Sequence, residues 1–415
     1  MHHIKSLIEF NLKHNSLLDR KISEIDTFYQ NENIEEQKNQ KLLQLINKTS
    51  KNKFYKDFYK SHDVDITKIK DFRDLGKLPI ITKNDVKNNA DLIKQKPFLI
   101  KGYTSGTTGS PLVVYRDLKS IVAENAYVWW YRLQYGLSPK DKKISIRGDL
   151  GKNKLFYYDS ASKTLHISSF NINSNTFKQI ETKIKELKPK ALLGYPSSLL
   201  TLASIYKQNN QYIKIPLVFT SSETLYGYQE DLICEVFSSK IADWYGNSER
   251  TIALYRDGKK YYEPLLYSIN EYRSNSILTT SLINDAFPLI NYIVNDTVKT
   301  DLKYSERNKS IVIDGILGRS ESSITLEDGS KIGAAALSLI FKDMDILNSQ
   351  IIQKSPNSFT FNIVIGTSFK SKKELYKKII QKLGTEVNIE IKIVTEEEIV
   401  YTDSGKYSLV MNSQE

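Results

Sequence analysis

The chain has 415 residues, of which 40% are hydrophobic and 26% charged, and 59 Lys and Arg against 48 Asp and Glu give it a net charge of +11. At about 150 residues per domain this length makes two or three domains with a sizeable core, while 18 glycines and 10 prolines exclude collagen-like and low-complexity chains. A single cysteine, Cys234, excludes an internal disulfide, five scattered histidines give no zinc spacing, and no apolar run is long enough for stable membrane insertion.

The basic residues are spread along the chain, as at Lys51, Lys142 and Lys373, without a DNA- or RNA-reading motif. The excess therefore reads as solvated surface, and no nucleic-acid partner is expected. The amino terminus lacks a basic region followed by an apolar stretch, so the expected address is the cytoplasm.

Residues 1 to 60 mix apolar and charged positions at helical spacing and predict two helices as a lead-in. From residue 68 onward, short apolar runs bounded by turn signals predict strands at 97–100, 112–115, 144–146, 191–193, 217–219 and 241–245. Helical patterns fall between them at 120–133, 177–187, 198–208 and 228–236. Alternating strands and helices argue for an α/β layer architecture with mixed sheets. Beyond Arg319 the pattern changes to a strand at 323–326, a helix at 335–347, a strand at 359–365, a helix at 370–382 and a strand at 388–394. That tail is long enough for a small α+β domain. The expected division is a large domain over 1–318 and a small one over 319–415.

The most informative stretch is Thr104-Ser-Gly-Thr-Thr-Gly-Ser-Pro111, which places two glycines and five hydroxyl side chains in succession. Glycine lets backbone N–H groups approach an anion and hydroxyls add donors, so a phosphate cradle is the natural physical reading, with a flexible hairpin tip as the alternative for an isolated run. It has neither the lysine nor the following helix of a Walker A loop, which excludes a P-loop NTPase.

Thr104, Ser105, Gly106, Thr107, Thr108 and Gly109 resemble the phosphate loop of the adenylate-forming superfamily, which holds acyl-CoA synthetases, luciferases and peptide-synthetase adenylation domains. Further segments follow in that family's order: Leu78-Pro-Ile-Ile-Thr-Lys83, Gly194-Tyr-Pro-Ser-Ser198, Ser221-Ser-Glu223, Tyr245-Gly-Asn-Ser-Glu249, Phe287–Asp296, Gly318-Arg-Ser-Glu321 and Ser404-Gly-Lys406. They are most similar to the branch of phenylacetate–CoA ligases and CapK-type capsule-biosynthesis proteins. The resemblance implies a large multi-layer adenylation domain and a small mobile carboxyl-terminal domain.

It also implies ATP and Mg2+ as cofactors, with CoA as one acceptor. Ser222, Glu223, Tyr245, Gly246, Asn247 and Ser248 would lie about the adenine, with Tyr245 stacked near it. Asp296 would take both ribose hydroxyls, Arg319 would contact ribose or phosphate, and Glu249 would hold magnesium. Lys406 would bridge the reacting carboxylate and the α-phosphate, with Thr108 contributing to the cradle. The departures from the branch pattern are Leu112 in place of a lysine, Asn291 and Ile293 in place of arginines, and Val294-Asn295 in place of Thr-Gly.

The implied partners are a small-molecule carboxylate and an acyl acceptor. The reaction is formation of an acyl-adenylate and pyrophosphate, then transfer of the acyl group to the CoA thiol or to an amine, with surface polysaccharide biosynthesis as the implied setting. Direct amide formation without CoA, an acyl-enzyme at Cys234 and a non-catalytic nucleotide-binding member stay open as alternatives, as do Arg132 or Arg147 as the holder of a second acidic group. The sequence leaves the oligomeric state open.

Overall fold

The structure, a computed structural model, describes residues 16–103, 112–151, 153–319, 323–401 and 406–412. Two compact units divide the chain, and each is discontinuous in sequence. One gathers Lys140–Asp243 with the described residues from Leu317 onward; the other gathers the described residues up to Pro139 with Trp244–Ile316. Among the described residues no helix is long and apolar enough to cross a membrane.

In the first unit, Lys143–Arg147 pairs in parallel with Thr164–Ser168 on one side and with Ala191–Gly194 on the other. Ala191–Gly194 pairs in parallel with Leu217–Ser221, and Phe156–Asp159 closes the far edge antiparallel to Thr164–Ser168. Parallel neighbours need crossovers, and the helices Ser174–Leu187, Pro196–Gln208 and Gly227–Phe237 supply them. Strands covered on both faces are continuously apolar. Ile144, Ile146, Leu192 and Val218 accordingly share a buried core with Leu199, Ile205, Tyr206 and Phe237 from the helices.

The carboxyl-terminal part of this unit is a four-stranded sheet in the order Asn388–Ile393, Ser358–Ile365, Ile346–Ser355, Val410–Asn412, with helix Lys372–Leu383 packed on it. The helix expected over 335–347 is corrected here. Helix Ala334–Ser338 is followed by a 3-10 turn at Leu339–Phe341, and strand Ile346–Ser355 has begun before residue 347. Asp343 and Asp345 adopt positive φ of 62° and 50°, which breaks a helix where a short apolar run alone would extend one.

Among the described residues the second unit opens with three helices, Ser16–Gln30, Ile34–Thr49 and Lys53–Ser61, where two were expected. Ser50-Lys51-Asn52 divides the last two, and Asn52 caps the third by accepting from the Tyr55 amide. Helix Leu118–Gln134 starts at Asp117, which accepts from the Ser120 amide at 2.8 Å in a capping box. Hairpin Ile100–Tyr103 and Val113–Arg116 carries the glycine loop between its strands, and Ser268–Tyr272, Ile277–Ser281 and Tyr292–Val294 form a three-stranded antiparallel sheet. Strand Lys240–Gly246 gives its first residues to one unit and its last to the other.

Candidate nucleotide and acyl-transfer site

The residues singled out in the sequence fall into two groups, one in each unit. In the second unit, Tyr245 and Gly246 end strand Lys240–Gly246, and Gly246 pairs with Ala253. The turn that follows is closed by Asn247, whose Oδ1 accepts from the Thr251 amide at 2.9 Å while its Nδ2 donates to Thr251 Oγ1 at 2.7 Å. Both ends of the Asn247 side chain are thus spent on holding the turn that displays Ser248 and Glu249.

Tyr245 donates its hydroxyl to Asp296 Oδ2 at 2.6 Å, and Tyr292, buried in its strand, donates to Glu249 Oε1 at 3.1 Å. Residues 51 and 43 positions apart are thereby bonded directly. A tyrosine hydroxyl fixes the direction of each carboxylate without adding a charge.

The donor chemistry fits the groups that the resemblance implies. Among the described residues no cluster of three or more His, Cys, Asp or Glu builds a metal cage. A part-exposed single carboxylate such as Glu249 is the kind of ligand magnesium takes when substrate phosphates complete its oxygen shell. The ring of Tyr245 beside the carboxylate of Asp296 offers a stacking face and a two-oxygen acceptor for a nucleoside.

The branch departure at Asn291 has a structural use. Asn291 is buried with φ of 54°, its amide donates to Thr280 Oγ1 at 2.9 Å and its Nδ2 donates to the Leu78 carbonyl at 2.8 Å. Asparagine tolerates this left-handed conformation, and the side chain ties the Leu78–Lys83 segment to the sheet. Leu112 is fully buried, so the position where the family pattern has a lysine serves the core.

In the first unit, strand Leu217–Ser221 delivers Ser222, exposed at φ 73°, and then Glu223. Glu223 accepts from the Ser197 amide and hydroxyl, both at 3.1 Å, at the start of helix Pro196–Gln208, and from the Tyr407 amide at 2.8 Å. Burial pushes the carboxyl up to about 7, against the pull of the Tyr407 and Ser197 bonds and the Lys406 charge. Glu223 therefore anchors the residue next to Lys406 onto a helix N-terminus, where a carboxylate is favoured.

The Lys406 ammonium lies 6.0 Å from the centroid of the Tyr195 ring, and the Arg147 guanidinium lies 5.8 Å from the same ring. Arg147 also donates to Ser221 Oγ at 3.4 Å. Arg132, the other candidate for a second acidic group, lies 4.9 Å over the Trp129 ring. Gly318 has φ of 89°, and a Cβ there would stand 3.3 Å from Thr224 Oγ1. Thr104, Ser105, Gly106, Thr107, Thr108 and Gly109, together with Glu321, Ser404 and the side chain of Arg319, lie outside the described part of the structure.

Sequence reasoning gave no role to Tyr292, Ser197 or Arg250. Ser197 carried a readable signal, a hydroxyl beside the Pro196 that opens a helix. The others depend on partners distant in sequence.

Residues 324–413 match the CapK C-terminal domain family. Protein CapK of Staphylococcus aureus is 26% identical over 403 residues, covering 91% of this chain and 89% of that protein. Indoleacetate–lysine synthetase of Pseudomonas savastanoi is 29% identical over 126 residues, 29% of this chain and 32% of that protein. Among solved structures, 2-hydroxyisobutyryl-CoA ligase in its postadenylation state with 2-HIB-AMP aligns with a TM-score of 0.70 at 15% identity, covering 90% of this chain and 88% of that one. The same ligase with 2-HIB-AMP and CoA in its thioesterification state aligns at 0.55. The fold is that of the adenylate-forming ligases, as the motifs led one to expect.

Proposed function

We propose that this chain, a CapK-type protein built on the adenylate-forming fold, is an AMP-forming ligase that activates a small-molecule carboxylate with ATP and passes the acyl group to an acceptor. The observation that carries the reading is the direct bonding of Tyr245 to Asp296 and of Tyr292 to Glu249. It draws four residues of two motif segments into two held pairs within one unit.

A carboxylate is a poor electrophile because its leaving group would be oxide. Attack by the carboxylate oxygen on the α-phosphorus breaks the bond to the β-phosphate, releases pyrophosphate and leaves an acyl-adenylate whose leaving group is AMP. Asp296 takes the ribose hydroxyls and Tyr245 orients Asp296. Glu249 is the residue that would hold magnesium, which when bound offsets phosphate charge. Lys406, the one lysine of the Ser-Gly-Lys motif, neutralises charge developing between carboxylate and α-phosphate. Glu223 supports that role by fastening Tyr407, so the lysine's backbone is fixed before substrate arrives.

Arg319 contacts ribose or phosphate, the Thr104–Gly109 loop cradles phosphate, and residues 319–415 act as the small mobile domain. In the second step a nucleophile attacks the adenylate carbonyl and AMP departs. A CoA thiol is supported by the CoA-bound 2-hydroxyisobutyryl-CoA ligase and an amine by the likeness to indoleacetate–lysine synthetase. A cytoplasmic role in surface polysaccharide assembly follows the CapK likeness.

The test is ATP–pyrophosphate exchange with magnesium across aryl, fatty, hydroxy and amino acids. Exchange with one class establishes adenylation, and mass spectrometry of products made with CoA or with amines then identifies the acceptor. ATP binding without exchange across the panel would turn the assignment to a non-catalytic nucleotide-binding protein.

A further inference from the structure

We propose that Arg116 and Arg250 form an oxyanion subsite beside Glu249 that takes the terminal phosphates of the nucleotide, the pair released as pyrophosphate. The proposal rests on the ATP-dependent reading above and adds two residues that neither the motifs nor the comparisons assign.

Arg116 closes strand Val113–Arg116, and Arg250 follows Glu249 in the turn after strand Lys240–Gly246, at φ 57°. The Arg116 guanidinium lies flat on Gly102, where a Cβ would stand 2.6 Å from its Cζ, and it donates to the Ser248 carbonyl. A side chain at position 102 would displace the guanidinium from this seat.

Each member of the pair keeps a donor without an internal partner: among the described residues, Arg116 Nε and Arg250 Nη1 are buried without a hydrogen-bond partner. Burial and the nearby Arg250 charge pull the Arg116 pKa down to about 10, while Glu124, Tyr267 and Glu249 pull it up only in part. The Glu124 carboxylate already accepts the Tyr267 hydroxyl.

Two half-buried like charges, each with one buried and unused donor, are costly in the bare protein, because buried donors are ordinarily paired. A polyanion removes that cost. The forked guanidinium matches phosphate geometry, which a point-charge lysine does not. Leu112 in the core leaves the family's usual lysine position without charge, while Arg116 lies four residues past Leu112 and Arg250 one residue past Glu249.

The experiment measures binding of ATP, AMP and inorganic pyrophosphate to the full chain by calorimetry, in the wild type and in Arg116→Gln, Arg250→Gln and the milder Arg116→Lys, with melting curves to confirm folding. The expected result is a loss of about tenfold or more in ATP and pyrophosphate affinity for each Gln variant, AMP affinity within about twofold of wild type, and Arg116→Lys in between. Equal losses for ATP and AMP, or none, would overturn the subsite. So would unchanged nucleotide binding with a raised KM for the acid alone, since the pair would then read a second acidic group on the acyl substrate. If the wild type bound neither nucleotide, the ligase reading would fail by itself. Pyrophosphate binding lost in the Gln variants would then identify the pair as an oxyanion site of another reaction.

Discussion

The two groups of candidate residues handle charge in opposite ways. In the first unit, Glu223 has both oxygens engaged by Ser197 and Tyr407, and burial drives it toward the proton. In the second, Asp296 and Glu249 each accept from a tyrosine hydroxyl, while Arg116 Nε and Arg250 Nη1 have no acceptor among the described residues. The first arrangement spends its polar groups on holding the backbone that carries Lys406. The second leaves guanidinium donors without a partner among the described residues, a state that a bound anion would relieve.

The largest effect expected from breaking this contrast is at Lys406. Lys406→Ala should lower the rate of adenylation by about 10²–10³-fold, measured by pyrophosphate exchange, and leave transfer from a supplied acyl-adenylate intact; equal loss of both steps would contradict its role. Next comes Asp296→Ala, which should weaken ATP and AMP alike by about tenfold or more. A double-mutant cycle with Tyr245→Phe should show less-than-additive losses, because the tyrosine acts through the carboxylate.

The enclosed side of the comparison is tested by pH. Glu396 accepts from Asn348 at 3.0 Å and Thr201 at 3.4 Å, its Oε1 is buried without a partner, and burial raises its pKa to about 7. The folded state then binds more protons than the unfolded chain, in which a Glu titrates at about 4.3. Stability from this group is complete below that value and is lost as pH rises toward about 7. Glu396→Gln should remove the loss and raise the melting temperature at pH 7.5 relative to pH 5, by the equivalent of up to about 3 kcal/mol. A wild type and variant with the same pH slope would refute the buried-proton account.

A smaller effect belongs to Tyr292→Phe, which should raise the magnesium needed for half-maximal exchange by about fivefold through loss of one hydrogen bond to Glu249. The smallest belongs to Cys234, part-buried in helix Gly227–Phe237. Cys234→Ser should retain full activity, and its loss would revive an acyl-enzyme route.

The parallel strands and their helices were legible because alternation and apolar runs are local, and the Tyr245–Glu249 motif was legible because its spacing is fixed. Glu223 shows what was not. The resemblance placed it near adenine, whereas its three hydrogen bonds reach 26 and 184 residues along the chain, a distance over which no periodicity operates. Asn291 shows the converse. As a departure from the family arginine it looked like a loss, yet its positive φ and its bond to Leu78 make it a fastening. The tail helix was overextended because apolar positions at 339–341 and 346–347 suit a 3-10 turn and a strand equally well.

The interleaving of the two units carries a consequence for biosynthesis. Every described segment of the second unit has been translated once Ile316 has emerged, whereas the first unit still lacks its carboxyl-terminal sheet and the Tyr407 amide that Glu223 receives. On the ribosome the Tyr245–Asp296 and Tyr292–Glu249 pairs can therefore assemble while the strands and helices over Lys140–Asp243 wait with their apolar faces uncovered. That interval is the one in which a chaperone, or a slowly translated stretch, would most affect the yield of folded protein.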